Sequence, residues 1–170
     1  MTLVELLIAM MVLTVGILAL VAAYSSGYVA LNRATRVSSA TLVADSQMER
    51  FRARQYSAIQ LNTTCGATCA EDSTFTGDTA YNSAAQVTGC ASTTESTCLP
   101  TQTKTGPDGK SYRLDTYIEY SCVSGTLTTS PLSCGSGNPY PVKRVTLVVR
   151  SSTLTSPVRE QSNFTAFPGS

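Results

Sequence analysis

The sequence contains no histidine and no tryptophan, and only 14% of its 170 residues are charged. A cytosolic enzyme usually has a charged fraction near ~25%. Histidine is the commonest general base and metal ligand, so its absence excludes a histidine-based catalytic triad and an imidazole zinc site. With 12 basic and 11 acidic side chains the net charge is +1, which argues against a basic module that binds nucleic acid.

The front of the chain lacks positive charge and proline. Glu5 is the only charged residue before Arg33, and the first proline is Pro100. As a helix, the uncharged run from Leu6 to Asn32 would be about 40 Å long, more than the ~30 Å hydrocarbon core of a bilayer. We therefore expect residues 1–32 to form an apolar half-helix that can span a membrane.

The distribution of charge around this run does not fit a cleavable signal peptide, because no basic residue precedes it. Arg33 and Arg36 follow it instead, and by the positive-inside rule they favour a cytoplasmic body. Six cysteines, an even number, favour an oxidising compartment outside the cytoplasm. Removal of a basic leader in front of Met1 would resolve the conflict, so we expect Met1 to be a processed end.

Helical periodicity continues beyond the apolar run, and no glycine or proline occurs from Ala34 to Arg54. Apolar residues recur there at steps of three or four positions and form one stripe, which consists of Val37, Ala40, Ala44, Met48 and Phe51. We expect one nearly continuous helix from about Thr2 to about Arg54, near 80 Å in length. Its amphipathic second half needs a cover from the rest of the chain.

Period-two alternation predicts strands in the last third of the chain. The first predicted strand runs from Tyr112 to Cys122 and is half-buried, with its even-numbered residues on the inner face. A second is predicted at Val142–Arg150, with Val145, Leu147 and Val149 facing inward, and a third near Arg159–Phe167.

These patterns predict an α+β fold, in which a small antiparallel sheet packs on the amphipathic half of the long helix. The predicted organisation is an apolar half-helix followed by a globular head, residues 33–170. Within the head we expect the rest of the helix at 33–54, a loop-rich αβ region with disulfide-stapled loops at 55–110, and the sheet with the C-terminal region at 111–170.

Six cysteines allow 15 connectivities. Pairing between neighbours closes the shortest loops, so we expect the disulfides Cys65–Cys69, Cys90–Cys98 and Cys122–Cys134. A metal site is the alternative, but the spacings lack the paired C-x₂-C of a four-thiolate site. We therefore expect no metal and no cofactor.

The segment from Met1 to Leu13, with the sequence MTLVELLIAMMVL, resembles the mature N-terminus of type IV pilins and of the related pseudopilins of type II secretion. The family signature is an N-methylated residue, a Thr-Leu-x-Glu core and an unbroken apolar helix, and Thr2, Leu3 and Glu5 match it. The resemblance covers roughly residues 1–55. Residues 56–170 match only in general style, although a disulfide near the C-terminal end, here Cys122–Cys134, is common in the family.

The resemblance implies that a prepilin peptidase cleaves before Met1 and methylates the new amino terminus. The helix would then lie in the inner membrane until the subunit joins the core of an extracellular filament. There Glu5 would form a salt bridge with the Met1 ammonium of a neighbouring subunit. The alternative for Glu5 is simple solvation at the membrane surface.

Two positions depart from the family pattern. Met1 stands where the family usually has phenylalanine, and Ala22 stands where many relatives have a proline that accompanies a locally melted helix. Without that proline, either Gly16 or Gly27 serves as the point at which the helix melts, or the helix stays whole.

The function we expect is that of a structural subunit, the major pilin of a type IV pilus. The alternative is a minor pilin at a pilus tip or a pseudopilin of a type II secretion system. The implied partners are further copies of the chain, the prepilin peptidase, the assembly platform and motor, and an outer-membrane secretin. We do not expect an enzyme, because without histidine only Ser–Lys or paired-carboxylate chemistry remains open, and no such constellation is recognisable.

Overall fold

One long helix dominates the computed structural model, which describes residues 2–66, 69, 71–122 and 142–166. Helix α1 spans Leu3–Arg52, 50 residues, and is continuous. This confirms the expected long N-terminal helix. The arginines in its last turn, Arg50 and Arg52, complement the negative end of the helix dipole. A 3₁₀ turn, Tyr56–Ala58, follows the helix.

Four strands form one antiparallel sheet in the order β1-β2-β3-β4. Their bounds are β1 Thr101–Thr105, β2 Ser111–Ser121, β3 Val142–Arg150 and β4 Val158–Thr165. The predicted α+β fold is therefore confirmed. β1 is an additional short strand within the region expected to be loop-rich. β4 starts one residue earlier than predicted, and Phe167 lies outside the described residues.

The amphipathic half of α1 packs on one face of the sheet and forms the main core. The helix contributes Ala40, Val43, Ala44, Met48 and Phe51, and the facing strand residues are Tyr112, Leu114, Ile118, Val145, Leu147 and Val149. The predicted inward faces of β2 and β3 are thus confirmed at these positions. Val37 was wrongly placed on the stripe, because it is 43% exposed and the buried residues of the helix begin only at Ser39.

The opposite face of the sheet is also covered, so the prediction of a half-buried strand β2 was wrong. Phe75, which belongs to the four-residue helix α2 (Ser73–Thr76), stacks on Tyr117 with ring centroids 4.3 Å apart. Together with Val148 these two rings form a second, smaller core. The segment that carries α2 comes from far away in the sequence, and for this reason strand alternation could not reveal it.

Disulfides staple the loops between α1 and β1. Cys65 is bonded to Cys69 and Cys90 to Cys98, with Cα–Cα distances of 5.9 and 5.8 Å. Cys122 is disulfide-bonded. The expected pair Cys122–Cys134 cannot be described further, because Cys134 lies outside the described residues.

Candidate functional site

The first half of α1 projects from the body and has no cover from the described part of the chain. Its large apolar side chains, from Leu3 to Leu31, are each between 52% and 80% exposed. Apolar surfaces of this size are rare on soluble monomers and mark sites of interaction with proteins or membranes. The helix is long and apolar enough to cross a membrane. We refer to residues Leu3–Leu31 as the apolar half-helix.

The threonine and serine hydroxyl groups of the apolar half-helix are satisfied within the helix. Thr14 Oγ1 donates to the Met11 carbonyl at 2.8 Å, and Ser26 Oγ donates to the Ala23 carbonyl at 2.9 Å. Ser25 Oγ makes the same kind of bond to the Ala22 carbonyl at 3.0 Å. These side chains therefore need no polar partner when the helix is surrounded by lipid or by other apolar helices.

Glu5 differs from these threonine and serine residues, because its side chain has no such bond within the helix. It lies in the first turn of α1, where the helix dipole favours a negative charge, and its side chain is exposed. Its carboxylate has no hydrogen-bond or ion-pair partner among residues 2–66, 69, 71–122 and 142–166. Met1, the expected site of methylation, lies outside these residues. A carboxylate in an apolar surface is costly to bury unless a cation from another molecule meets it.

Gly16 and Gly27 are both helical, and α1 runs through them without a break. A Cβ atom at either glycine would meet nothing within 4 Å in the described part of the chain, so neither glycine is needed for close packing against those residues. Each glycine nevertheless weakens a helix by about 1 kcal/mol relative to alanine. The expectation that they are melting points stays a prediction about the assembled state.

Arg33 and Arg36 mark the junction of the apolar half-helix with the body. The Arg33 guanidinium donates to Thr155 Oγ1, in the β3–β4 turn, at 2.9 Å. The Tyr112 hydroxyl lies 3.5 Å from the Arg36 carbonyl and 2.7 Å from Asp108 Oδ2. In the sequence these two arginines indicated only the orientation of the membrane span. Their contacts could not be predicted, because the partner residues are more than seventy positions away along the chain.

A set of ion pairs fastens the segment around α2 to the far face of the sheet. Asp115 is fully buried and accepts hydrogen bonds from Arg113 at 2.7 Å and from Arg150 at 2.9 Å. Asp78 accepts two bonds of 2.8 Å from Arg159 and pairs with Arg150. Burial acts to raise the pKa of Asp78, but the arginines outweigh it and the pKa is lowered. These five residues form what we call the far-face clamp, a structural element.

Two further ionisable side chains are buried in the sheet. Lys143 is 2% exposed and donates to the carbonyls of Tyr56 and Ile59, both at 2.9 Å, and burial lowers its pKa to about 8. Glu119 is 4% exposed, and burial raises its pKa to about 7. Lys143 thus links the 3₁₀ turn after α1 to strand β3, and this structural role accounts for a lysine at a buried position.

Cys90, Glu95 and Cys98 bring ligand atoms within 4.8 Å of one another, as a metal site would. Both cysteines are in the same disulfide, so neither can supply the thiolate that a metal ligand requires. This cluster is therefore a disulfide with a neighbouring carboxylate.

No protein-family model matches the chain, and neither a curated protein nor a solved structure shows significant similarity to it. The resemblance of the N-terminal segment to pilins therefore stays a prediction, and the apolar half-helix with Glu5 is the candidate functional site.

Proposed function

We propose that this chain is a structural subunit of the type IV pilin class. It is held in the inner membrane by the apolar half-helix and then polymerises into an extracellular filament whose core consists of these helices. The observation that carries the proposal is an exposed apolar half-helix that continues without a break into the core of a disulfide-stapled body.

The exposed surface suits both stages of this function. Lipid tails are about as apolar as leucine side chains, so transfer of the half-helix from a bilayer into a bundle of like helices changes its hydrophobic free energy little. A polar contact is then needed to favour the bundle and to set the axial position of each subunit. Glu5 supplies it, because its carboxylate lacks a partner among the described residues and the Met1 ammonium of a neighbour would provide one.

The continuity of α1 supports the same function. Buried residues of the helix begin at Ser39 and end at Phe51, so the body grips the helix along its second half. The remaining half, about 42 Å from Leu3 to Leu31 at 1.5 Å per residue, is left uncovered by the described residues and can pack against other copies. No catalytic step is part of this proposal, and the expected partners are those that the family resemblance implies.

The proposal predicts that Glu5→Gln impairs assembly. Cells that carry this variant should contain the normal amount of membrane-inserted chain but at least tenfold less chain in filaments sheared from the surface. The reason is that the loss of one partner of a buried ion pair is worth about 3–5 kcal/mol. Quantitative immunoblots of the membrane and sheared fractions measure both quantities.

The matched control is Glu49→Gln, a change of the same type on the same helix. Glu49 is exposed and pairs with Arg52 on the surface of the body, so its variant should assemble normally. Normal filaments from Glu5→Gln would contradict the proposed pairing. If the chain occurs in filaments only in trace amounts even in its natural form, the minor-pilin or pseudopilin function replaces the major-pilin one.

A further inference from the structure

We propose that the junction between the apolar half-helix and the body binds the phosphate of an anionic phospholipid headgroup. The site, which we call the neck groove, has a volume of about 550 Å³ and includes Tyr28, Arg33 and Arg36 of α1 and Ser152, Thr153 and Thr155 of the β3–β4 turn. The inference rests on the membrane stage of the proposed function and adds a lipid partner to it.

The first support is the position of the neck groove along the helix axis, relative to the part of the apolar half-helix that would span the membrane. From Leu6 to Tyr28 the helix rises about 33 Å, close to the ~30 Å hydrocarbon core of a bilayer. Tyr24 and Tyr28 are 80% and 62% exposed at the end of this stretch, where aromatic residues occupy the membrane–water interface. Arg33 follows about 7 Å further along the axis, which is the depth of the phosphate groups.

The second support is that the two arginines lack carboxylate partners. Among the described residues, Arg33 bonds only to the hydroxyl of Thr155, and the Nε atom of Arg36 is buried without a hydrogen-bond partner. Asp108 is occupied by the Tyr112 hydroxyl and the Lys110 amide rather than by Arg36. Elsewhere on the body, five arginines pair with acids, namely Arg52, Arg54, Arg113, Arg150 and Arg159, whereas Arg50 bonds to the Ser96 hydroxyl.

The chemistry of the groove fits a phosphate diester that carries acyl chains. Two guanidinium groups and the hydroxyls of the β3–β4 turn offer donors for phosphate oxygens. No acidic side chain lies along the groove within the described part of the chain. The adjoining helix surface around Val29 and Ala30 is apolar, so it can accompany the first carbons of an acyl chain.

This site also explains why positive charge follows the apolar run. The positive-inside rule favours arginines on the cytoplasmic side, whereas the disulfides favour an oxidising compartment for the body. Anionic headgroups attract basic residues at the edge of a span, by about a factor of five for each residue. The two arginines then hold the neck at the membrane surface until the subunit is extracted.

Native mass spectrometry of the full-length chain in detergent micelles tests the proposal by titration with dioleoyl phosphatidylglycerol and dioleoyl phosphatidylcholine. We expect the anionic lipid to bind about 25-fold more tightly, the product of two fivefold contributions. The double variant Arg33→Gln, Arg36→Gln should lose most of this preference. The matched control is the double variant Arg50→Gln, Arg52→Gln, which removes two exposed charges from the part of the same helix that belongs to the body. It should keep the preference for the anionic lipid.

Three further measurements test whether the preference depends on the two arginine charges, whether the groove binds free phosphate as well as lipid, and whether lipid binding is independent of filament assembly. Thr155→Val removes the hydrogen bond to Arg33 and one hydroxyl donor of the groove but keeps both charges, so it should lose clearly less of the preference than the double variant. A loss as large as in the double variant would overturn the role of the two charges. Inorganic phosphate at millimolar concentration should not compete with the anionic lipid for the groove, and efficient competition would overturn the choice of a lipid.

Glu5→Gln should bind the anionic lipid normally whether or not it assembles into filaments. Failure of the lipid proposal is therefore distinguishable from failure of the filament proposal.

An equal affinity of the natural chain for both lipids would overturn the inference. So would an unchanged preference in the double variant, provided that its oxidised mass and far-ultraviolet circular dichroism show a folded body.

Discussion

Glu119 shows how a single buried carboxyl makes the body sensitive to pH. It lies on the far face of strand β2, where burial raises its pKa to about 7, although the charge of Arg144 and the backbone of Asn82 act in the opposite direction. A carboxyl whose pKa is higher in the folded chain than in the unfolded one, near 4.5, binds its proton more tightly when folded. Its stabilising contribution is therefore complete below pH 4.5 and is lost as the pH rises to 7.

We accordingly predict that Glu119→Gln removes part of the pH dependence of unfolding. The free energy of unfolding of the natural chain should fall relative to that of the variant between pH 4.5 and 7, because the glutamine stays neutral throughout. Chemical denaturation of the full-length chain in detergent, followed by the near-ultraviolet circular dichroism of tyrosine, measures both curves. Parallel curves for the two proteins would show that Glu119 titrates normally.

At the scale of elements, the segment that carries α2 depends on the far-face clamp as well as on the small core around Phe75. Asp78 holds this segment to β3 and β4 through Arg150 and Arg159, and Asp72 holds it to β2 through a bidentate pair with Arg113. The side chain of Asp78 is only 2% exposed, whereas its arginine partners are partly solvated. The pairs are thus intermediate between buried and surface ion pairs.

Asp78→Asn should therefore lower the free energy of unfolding by about 1–3 kcal/mol, because Arg159 loses its carboxylate partner and Arg150 keeps only Asp115. The segment around α2 should also exchange its amide hydrogens faster, which hydrogen-exchange mass spectrometry detects. Glu49→Gln breaks an exposed pair on α1 and serves as the control, with an expected change of at most about 0.5 kcal/mol. Equal effects of the two changes would mean that the clamp does not hold the segment.

Local patterns predicted the long helix and three of the four strands but neither strand β1 nor the second layer. The helix from Thr2 to Arg54 and the strand Val142–Arg150 carry their periodicity in consecutive residues, so both were found within two residues of their observed bounds. The cover of β2 by Phe75 depends on a contact between positions about forty apart, for which alternation contains no signal. The neck groove was missed for the same reason, since Thr155 lies 122 positions from Arg33.

At the scale of the whole molecule, one continuous helix, α1, joins the apolar half-helix to the body. The sheet covers one half of the helix, and the other half, which the described residues leave bare, is too apolar to face water. The chain therefore needs a second environment, and we propose two in succession, the membrane and the filament core. Glu5 and the neck groove lie near opposite ends of the bare half and are proposed to act in the filament and the membrane, respectively.

The most direct test of the filament claim is the intact mass of the dominant protein in filaments sheared from the source cells. We predict a subunit that begins at Met1, carries one added methyl group of about 14 Da, and is about 6 Da lighter than the reduced chain because of three disulfides. Filaments that contain this chain only in traces would contradict the major-subunit claim. Intact filaments built from an unprocessed form, in which Met1 has no free amino group, would contradict the proposed role of Met1 as the partner of Glu5, and an unmethylated form would contradict the predicted methylation.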